Sequence, residues 1–152
     1  MLVKDFMIQD VYVARPTYTL KQLLQLFIEN KIGGVPVVDE FEKLISVVSD
    51  GDILRYLAPK DSVYKDYFTY VSVLPGKNLD ETVKSKLNDT VSKLLKNNKI
   101  TTLSPEDHLE EAIKEISQHH FKKIPVVDSE NRVVGIISRG DALRTLYKGF
   151  FI

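Results

Sequence analysis

The chain carries one passage twice. IGGVPVVDEFEKLISVVSDGDILRYL, ending at Leu57, lies over FKKIPVVDSENRVVGIISRGDALRTL, ending at Leu146, without a gap. The offset of 89 residues that takes Pro36 to Pro125 also takes Asp39 to Asp128, Ser49 to Ser138, Gly51 to Gly140, Asp52 to Asp141 and Arg55 to Arg144. Upstream it pairs Lys4 with Lys93, Val11 with Ile100, Pro16 with Pro105, Leu20 with Leu109 and Phe27 with Ile116. Self-similarity at a fixed period decides architecture before local propensity does. Here it defines two copies of one unit of about 55 to 60 residues, roughly the smallest size that folds alone.

Each copy reads in the same order. A short apolar stretch, VYVAR or ITTLS, is expected as a brief strand ending before proline. Leu20, Leu23, Leu24 and Phe27 then recur at helical spacing, as do Leu109, Ala112, Ile113 and Ile116. Ser104-Pro105-Glu106-Asp107 reads as a helix cap with proline in the first turn. PVVD, a polar turn and LISVVS or VVGIIS give a β-hairpin, and DILRYL or DALRTL a final helix. The unit is βαββα, and the fold class is α/β in the α+β sense. A small sheet with helices on one side leaves its other apolar face uncovered, so the two pseudo-symmetric units are expected to pack sheet to sheet. The sequence divides into unit 1 (residues 1–57), an inserted linker (58–88) and unit 2 (89–152). The linker opens with Tyr64, Tyr67, Phe68 and Tyr70, read as cover for the module's own core, with a partner surface as the alternative. From Asn78 a capped helix is expected to carry Val83, Leu87, Val91 and Leu94 and to run into unit 2.

Composition narrows the function classes. Twenty-one basic residues balance 21 acidic ones, so the basic excess of a duplex-binding protein is absent. There is no cysteine, which removes disulfides and thiolate chemistry. Asp5 and Asp10 interrupt the start of the chain where a leader would be apolar, and no run is long enough to span a membrane. A cytoplasmic protein without nucleic-acid or membrane partners is expected.

The repeated Ser-x-Gly-Asp admits two readings. In the first it is only a capping box: the serine oxygen accepts a third-position N–H and the aspartate reaches back to the serine N–H. In the second, the strand-to-helix turn presents free N–H groups and a positive dipole end, and the aspartate accepts from the vicinal hydroxyls of a ribose. No Walker loop, no G-x-G-x-x-G and no nucleophile elbow is present. His119-His120 has no nearby third ligand, so no metal site is expected, and no enzyme activity either.

IPVVD with its hairpin and GIISRGDAL, both in order and both duplicated, resemble the CBS domain in tandem, the arrangement called a Bateman module. The resemblance covers nearly the whole chain outside the linker. It implies a regulatory module that binds AMP, ADP, ATP or a related adenosyl ligand such as S-adenosylmethionine or NAD, as an effector with no obligatory cofactor. It implies a homodimer and a regulated partner protein that remains to be identified. The family's Gly–apolar–apolar–Ser/Thr–x–x–Asp motif falls on Gly135, Ile136, Ile137, Ser138 and Asp141. By resemblance Asp141 takes the ribose hydroxyls and Ser138 a phosphate or ribose. Ile100, Thr101 and Thr102, with Phe121, Lys122 and Lys123 before Pro125, line the base pocket. In unit 1 the matching set is Ser49 and Asp52, with Val11 to Val13 and Ile32, Gly33 and Gly34 before Pro36. Ser46 stands where glycine is usual. Arg139, Lys122, Lys123 and His120 favour a phosphate at the second site, whereas Asp50 and Gly33-Gly34 occupy the equivalent positions of the first. The Asp141 site is therefore expected to bind the phosphorylated ligand more tightly. The alternative is an assembly module whose Ser-x-Gly-Asp boxes only cap helices.

Overall fold

The computed structural model describes residues 1–59, 78–118 and 123–151, together with the strand pairing of 62–65 and 71–74. Unit 1 contains α1 (Leu20–Asn30), β1 (Gly34–Val38), β2 (Leu44–Ser49) and α2 (Asp50–Leu57). The insertion holds β3 (Ser62–Lys65), β4 (Val71–Leu74) and α3 (Leu79–Lys86). Unit 2 contains α4 (Leu109–Gln118), β5 (Lys123–Val127), β6 (Val133–Ser138) and α5 (Arg139–Phe151).

The repeated residues are the ones the backbone needs. Asp39 Oδ1 accepts from the N–H groups of Phe41 (2.8 Å) and Lys43 (3.0 Å), and Asp128 Oδ1 accepts likewise from Glu130 and Arg132 (2.9 Å each). Each aspartate thereby closes a hairpin whose fourth turn residue is left-handed, Glu42 at φ 65° and Asn131 at φ 63°. β1 pairs antiparallel with β2, with Pro36 opposite Val47; β5 pairs with β6, with Pro125 opposite Ile136. A proline in a strand lacks a donor, but its carbonyl still serves. Pro36 accepts from Ala14 N–H (2.9 Å) and Pro125 from Leu103 N–H (3.0 Å).

With the return bonds from Val38 N–H to Ala14 (3.0 Å) and Val127 N–H to Leu103 (2.9 Å), those two bonds are what the expected first strand amounts to. VYVAR and ITTLS each contribute one parallel bridge, Ala14 to Val37 and Leu103 to Val126. The expected helix cap at Ser104 also moves. Ser104 N–H donates to Asp107 Oδ2 (2.8 Å) in a turn of its own, and α4 starts later, where His108 N–H meets Glu111 (3.2 Å). Local side-chain bonds to backbone compete with helix here and win. In unit 1 the corresponding cap is Thr19, which exchanges bonds with Gln22.

The insertion departs from its reading in two ways. It carries a hairpin, β3 against β4, that the aromatic run did not suggest. Tyr67, Phe68 and Tyr70 lie outside the described residues, as does the side chain of Tyr64. The helix capped by Asn78 stops at Lys86 and does not run into unit 2. The chain turns there because the carbonyls of Leu87 and Asp89 accept the N–H groups of Lys21 (3.1 Å) and Leu20 (2.8 Å), which α1 leaves open at its start. A short 3-10 turn, Val91–Leu94, follows.

That turn has a partner at the other end of the chain, the 3-10 turn Val3–Asp5, and the two are exchanged between units. Val91 is fully buried in the core of unit 1 with Leu20, Leu23, Phe27, Val37, Val48 and Ile53. Val3 is fully buried in the core of unit 2 with Leu103, Ala112, Ile124, Val126 and Ile137. Backbone bonds fix both: Val91 N–H to Tyr18, Ser92 N–H to Pro16, Val3 N–H to Asp107 and Lys4 N–H to Pro105. The two hairpin turns also pair, through a bridge between Lys43 and Arg132 and a bond from Leu44 N–H to Asn131 (3.0 Å).

Candidate functional site

The β1–β2 and β5–β6 sheets each end in a serine that starts a helix. Ser49 Oγ accepts from Asp52 N–H (3.3 Å), while Asp52 Oδ2 accepts from Ser49 N–H (2.8 Å) and Ser49 Oγ–H (3.0 Å). In unit 2, Asp141 Oδ2 accepts from Ser138 N–H (3.1 Å) and Oγ–H (2.6 Å), and Ser138 Oγ accepts from Asp141 N–H (3.2 Å). Both Ser-x-Gly-Asp motifs are thus complete capping boxes.

The cap uses one carboxylate oxygen only. The other points away from the backbone and meets cations. Asp141 Oδ1 accepts from Arg144 (2.6 Å); Asp52 Oδ1 accepts from Arg55 (2.8 Å) and lies 3.1 Å from Lys96 Nζ. The carboxylates are largely enclosed, 12% exposed at Asp52 and 11% at Asp141, whereas Arg55 and Arg144 are 69% and 68% exposed. Burial pushes both carboxyls upward, but the bonds from serine and the cations prevail and hold them below the ordinary aspartate value. A second oxygen that is charged, recessed and covered by solvated cations, Arg144 on Asp141 and Arg55 and Lys96 on Asp52, is chemically suited to accept from a hydroxyl. Beside Asp141 opens a pocket of about 330 Å³, bounded by Met1, Asp5, Phe6, Arg144, Thr145 and Lys148. That is within the range of small-molecule sites, roughly 300–1,000 Å³.

The other expected site residues are distributed around this frame. Gly33 accepts from Asp50 N–H through its carbonyl (2.9 Å), and Ile32 and Gly34 flank it at the start of β1. Pro36 and Pro125 are buried within their strands. Arg139 begins α5 and is exposed. His119, His120, Phe121 and Lys122 lie outside the described residues. Among the described residues no group of three His, Cys, Asp or Glu side chains gathers to hold a metal ion.

Two placements escaped the sequence. First, the lead into each unit crosses over the other. Ile8 bridges Ile136 of β6 before Val11 and Val13 pass to the bridge at Ala14 on β1. Lys96 pairs with Asp52 before Ile100, Thr101 and Thr102 pass to the bridge at Leu103 on β5. Both leads therefore span the two units, and Val11, Val13, Ile100, Thr101 and Thr102 are partly buried along them. Second, Lys123 reaches across to unit 1. Its Nζ lies 3.4 Å from the carbonyl of Gly34, in the field of both Asp50 and Asp141; burial pulls its pKa down while the two acids oppose the shift. The acidic Asp50 end of the first site thus has a cation supplied by the second unit.

Two small sheets, each feeding a helix through a Ser-x-x-Asp box and joined by exchanged turns, define a paired βαββα module. The family model of the CBS domain matches residues 3–59 and again 91–148, and the chain belongs to that family. It is 36% identical over 147 residues to the chloroplastic CBS domain-containing protein CBSX1 of Arabidopsis thaliana, covering 90% of this chain and 59% of that protein. With protein MJ1426 of Methanocaldococcus jannaschii it shares 27% identity over 96% of this chain and 91% of the relative. The solved structure of CBSX2 in complex with AMP has the same fold, with a TM-score of 0.72 at 26% identity over 97% of this chain and 96% of that one. Among the described residues no helix is long and apolar enough to cross a membrane.

Proposed function

We propose that this chain is a regulatory module that binds an adenosyl ligand of the AMP class in the clefts between its two CBS units. The observation that carries the reading is the division of labour within each aspartate. One oxygen of Asp52 and of Asp141 caps the helix, and the other is left for the vicinal hydroxyls of a ribose. The similarity to CBSX2, a protein whose structure has been solved with AMP, supports the choice of ligand class. The crossing leads support an exchange of the expected lead segments: the Ile8–Val13 lead, which bridges Ile136 of β6, goes with Asp141 in place of Ile100–Thr102, and the Lys96–Thr102 lead, whose Lys96 pairs with Asp52, goes with Asp52 in place of Val11–Val13. The Ile32–Gly34 turn stays with Ser49 and Asp52, beside Asp50, and Lys123 is the phosphate-facing cation between the two.

The assembly reading keeps one observation in its favour, the completeness of both capping boxes. The two are separated by melting the protein with millimolar AMP, ATP, NAD or S-adenosylmethionine. A ligand that binds only the folded state stabilises it by RT ln(1 + [L]/Kd), about 2.7 kcal/mol at one hundred times Kd. Stabilisation by one of these ligands, abolished in Asp52→Asn/Asp141→Asn, supports the sensor; four flat titrations overturn it. Mass spectrometry of small molecules released from fresh protein names the ligand directly.

The module acts as a homodimer in this proposal. Leu143, Tyr147 and Phe150 form an exposed stripe along α5 at 66%, 58% and 77% exposure, and Leu54 stands 68% exposed at the position equivalent to Leu143. A second copy covers such a surface; Leu143→Glu is expected to shift the mass measured by light scattering towards the monomer. A cytoplasmic setting and a regulated partner protein complete the proposal.

A further inference from the structure

The two aspartates are equally recessed but do not carry the same cations, and the difference traces to one pair of equivalent positions. The offset that aligns the repeats takes Met7 to Lys96. Met7 lies on Gly135: a Cβ there would stand 2.9 Å from Met7 Cγ and 3.2 Å from the carbonyl of Ile8. The equivalent of Gly135 is Ser46, buried and bearing a side chain. Lys96 extends instead to the outward oxygen of Asp52, 3.1 Å away, while its side chain remains 59% exposed. The departure at Ser46 and the lysine at 96 are thus two sides of one change. In unit 2 a methionine lies over a glycine, and among the described residues the ion pair on Asp141 is the one with Arg144. In unit 1 a serine takes the glycine's place, and the lead's side chain becomes a second cation on Asp52.

We infer that Lys96 is a tethered counter-ion that holds Asp52 against ligand hydroxyls, so that the Asp141 site fills first and the Asp52 site only after Lys96 lets go. The inference rests on the adenosyl-ligand reading. Ribose hydroxyls donate to the oxygen that Lys96 and Arg55 already occupy, and Lys96 is a competitor that the equivalent position in the other lead, Met7, cannot supply to Asp141. Exposed ion pairs are individually weak, so the handicap is about two- to fivefold in affinity.

The test uses the full chain with Asp141→Asn to silence the other site, and adenosine, an uncharged probe, in calorimetry. Lys96→Met, which copies position 7, is expected to tighten adenosine two- to fivefold. Raising salt is expected to tighten adenosine more in the Lys96 protein than in Lys96→Met, because the former has two ion pairs on Asp52 to screen and the latter keeps the one with Arg55. Unchanged or weaker binding in Lys96→Met overturns the inference; weaker binding makes Lys96 a ligand contact. A second arm needs no ligand: carbon-detected NMR titration of the Asp52 carboxyl is expected to show its pKa rising in Lys96→Met, with Arg55 the remaining cation. No change there overturns the counter-ion whatever binds. Absence of adenosine and AMP binding to every variant, with that pKa change present, overturns the adenosyl-ligand reading and the filling order while leaving the ion pair standing.

Discussion

Lys123 and Gly34 are the same position in the two repeats, and the amine of the first points at the carbonyl of the second across 3.4 Å. Equivalent positions of the two units thus meet here, as Lys43 and Arg132 do at the hairpin turns. Gly34 leaves the space, and a Cβ added there meets Lys123 Cδ at an ordinary 3.9 Å.

Burial lowers the pKa of Lys123 against the pull of Asp141 and Asp50. A lysine whose folded value lies below its unfolded one binds fewer protons in the native state. Stability then rises with pH between the two values, and below that window the charged amine opposes folding. Lys123→Met is therefore expected to raise the melting temperature at neutral pH and to flatten the alkaline rise. If Lys123 faces phosphate, the same change weakens AMP more than adenosine. A lower melting temperature with AMP affinity intact would count against both statements.

Gly135 and Met7 give a double-mutant cycle. Gly135→Ala forces its Cβ against Met7 and the carbonyl of Ile8, and overpacking of this kind costs about 1–3 kcal/mol. Met7→Ala on its own loses packing but clears the side-chain part of the conflict. The pair is expected to be coupled, with Gly135→Ala milder in the Met7→Ala background by more than 0.5 kcal/mol in urea unfolding. Additive effects would place the conflict with the Ile8 backbone alone.

The capping boxes predict both a neutral-pH and an acid phenotype. Ser49→Ala and Ser138→Ala each remove a cap and are expected to cost about 1 kcal/mol. Asp52 and Asp141 have depressed folded pKa values, after burial is outweighed by serine and cation contacts. Their contribution is present above the unfolded value of about 3.9 and is lost as pH falls through the folded values. Asp52→Asn and Asp141→Asn should thus flatten the fall in melting temperature below about pH 4. An acid limb as steep as that of the unaltered protein would assign it to other carboxylates.

Val3 and Val91, both 0% exposed, are each buried in the unit they do not belong to in sequence. Val3→Ala is expected to cost about 2 kcal/mol and to loosen unit 2, read as faster amide exchange at Ile124 and Val126 than at Val35 and Val37. Val91→Ala should invert that pattern. Uniform loosening in both variants would mean that the units open only together.

What the sequence disclosed and what it hid follow one physical line. Asp39, Asp128, the two prolines and the Ser-x-Gly-Asp boxes were readable because each serves backbone within a few residues, and a repeat doubles the signal. The partner of Val3 was not readable: an apolar residue announces burial without saying in which core. Lys96 carried no motif, since its role depends on a carboxylate 44 positions away (from 52 to 96). The one available clue was the offset itself, which sets Lys96 against Met7 just as it sets Ser46 against Gly135. The hairpin in the insertion was hidden by its aromatic composition, which reads equally well as core cover.

The exchanged turns bear on how such a chain comes into being. One repeat produced alone lacks a wall of its own core, and the missing piece exists only on a neighbour. Duplication within one polypeptide places donor and acceptor on the same molecule and removes the concentration dependence of finding a mate. Cleaving the backbone inside the insertion ought then to leave two halves clasped, each holding the other's first turn.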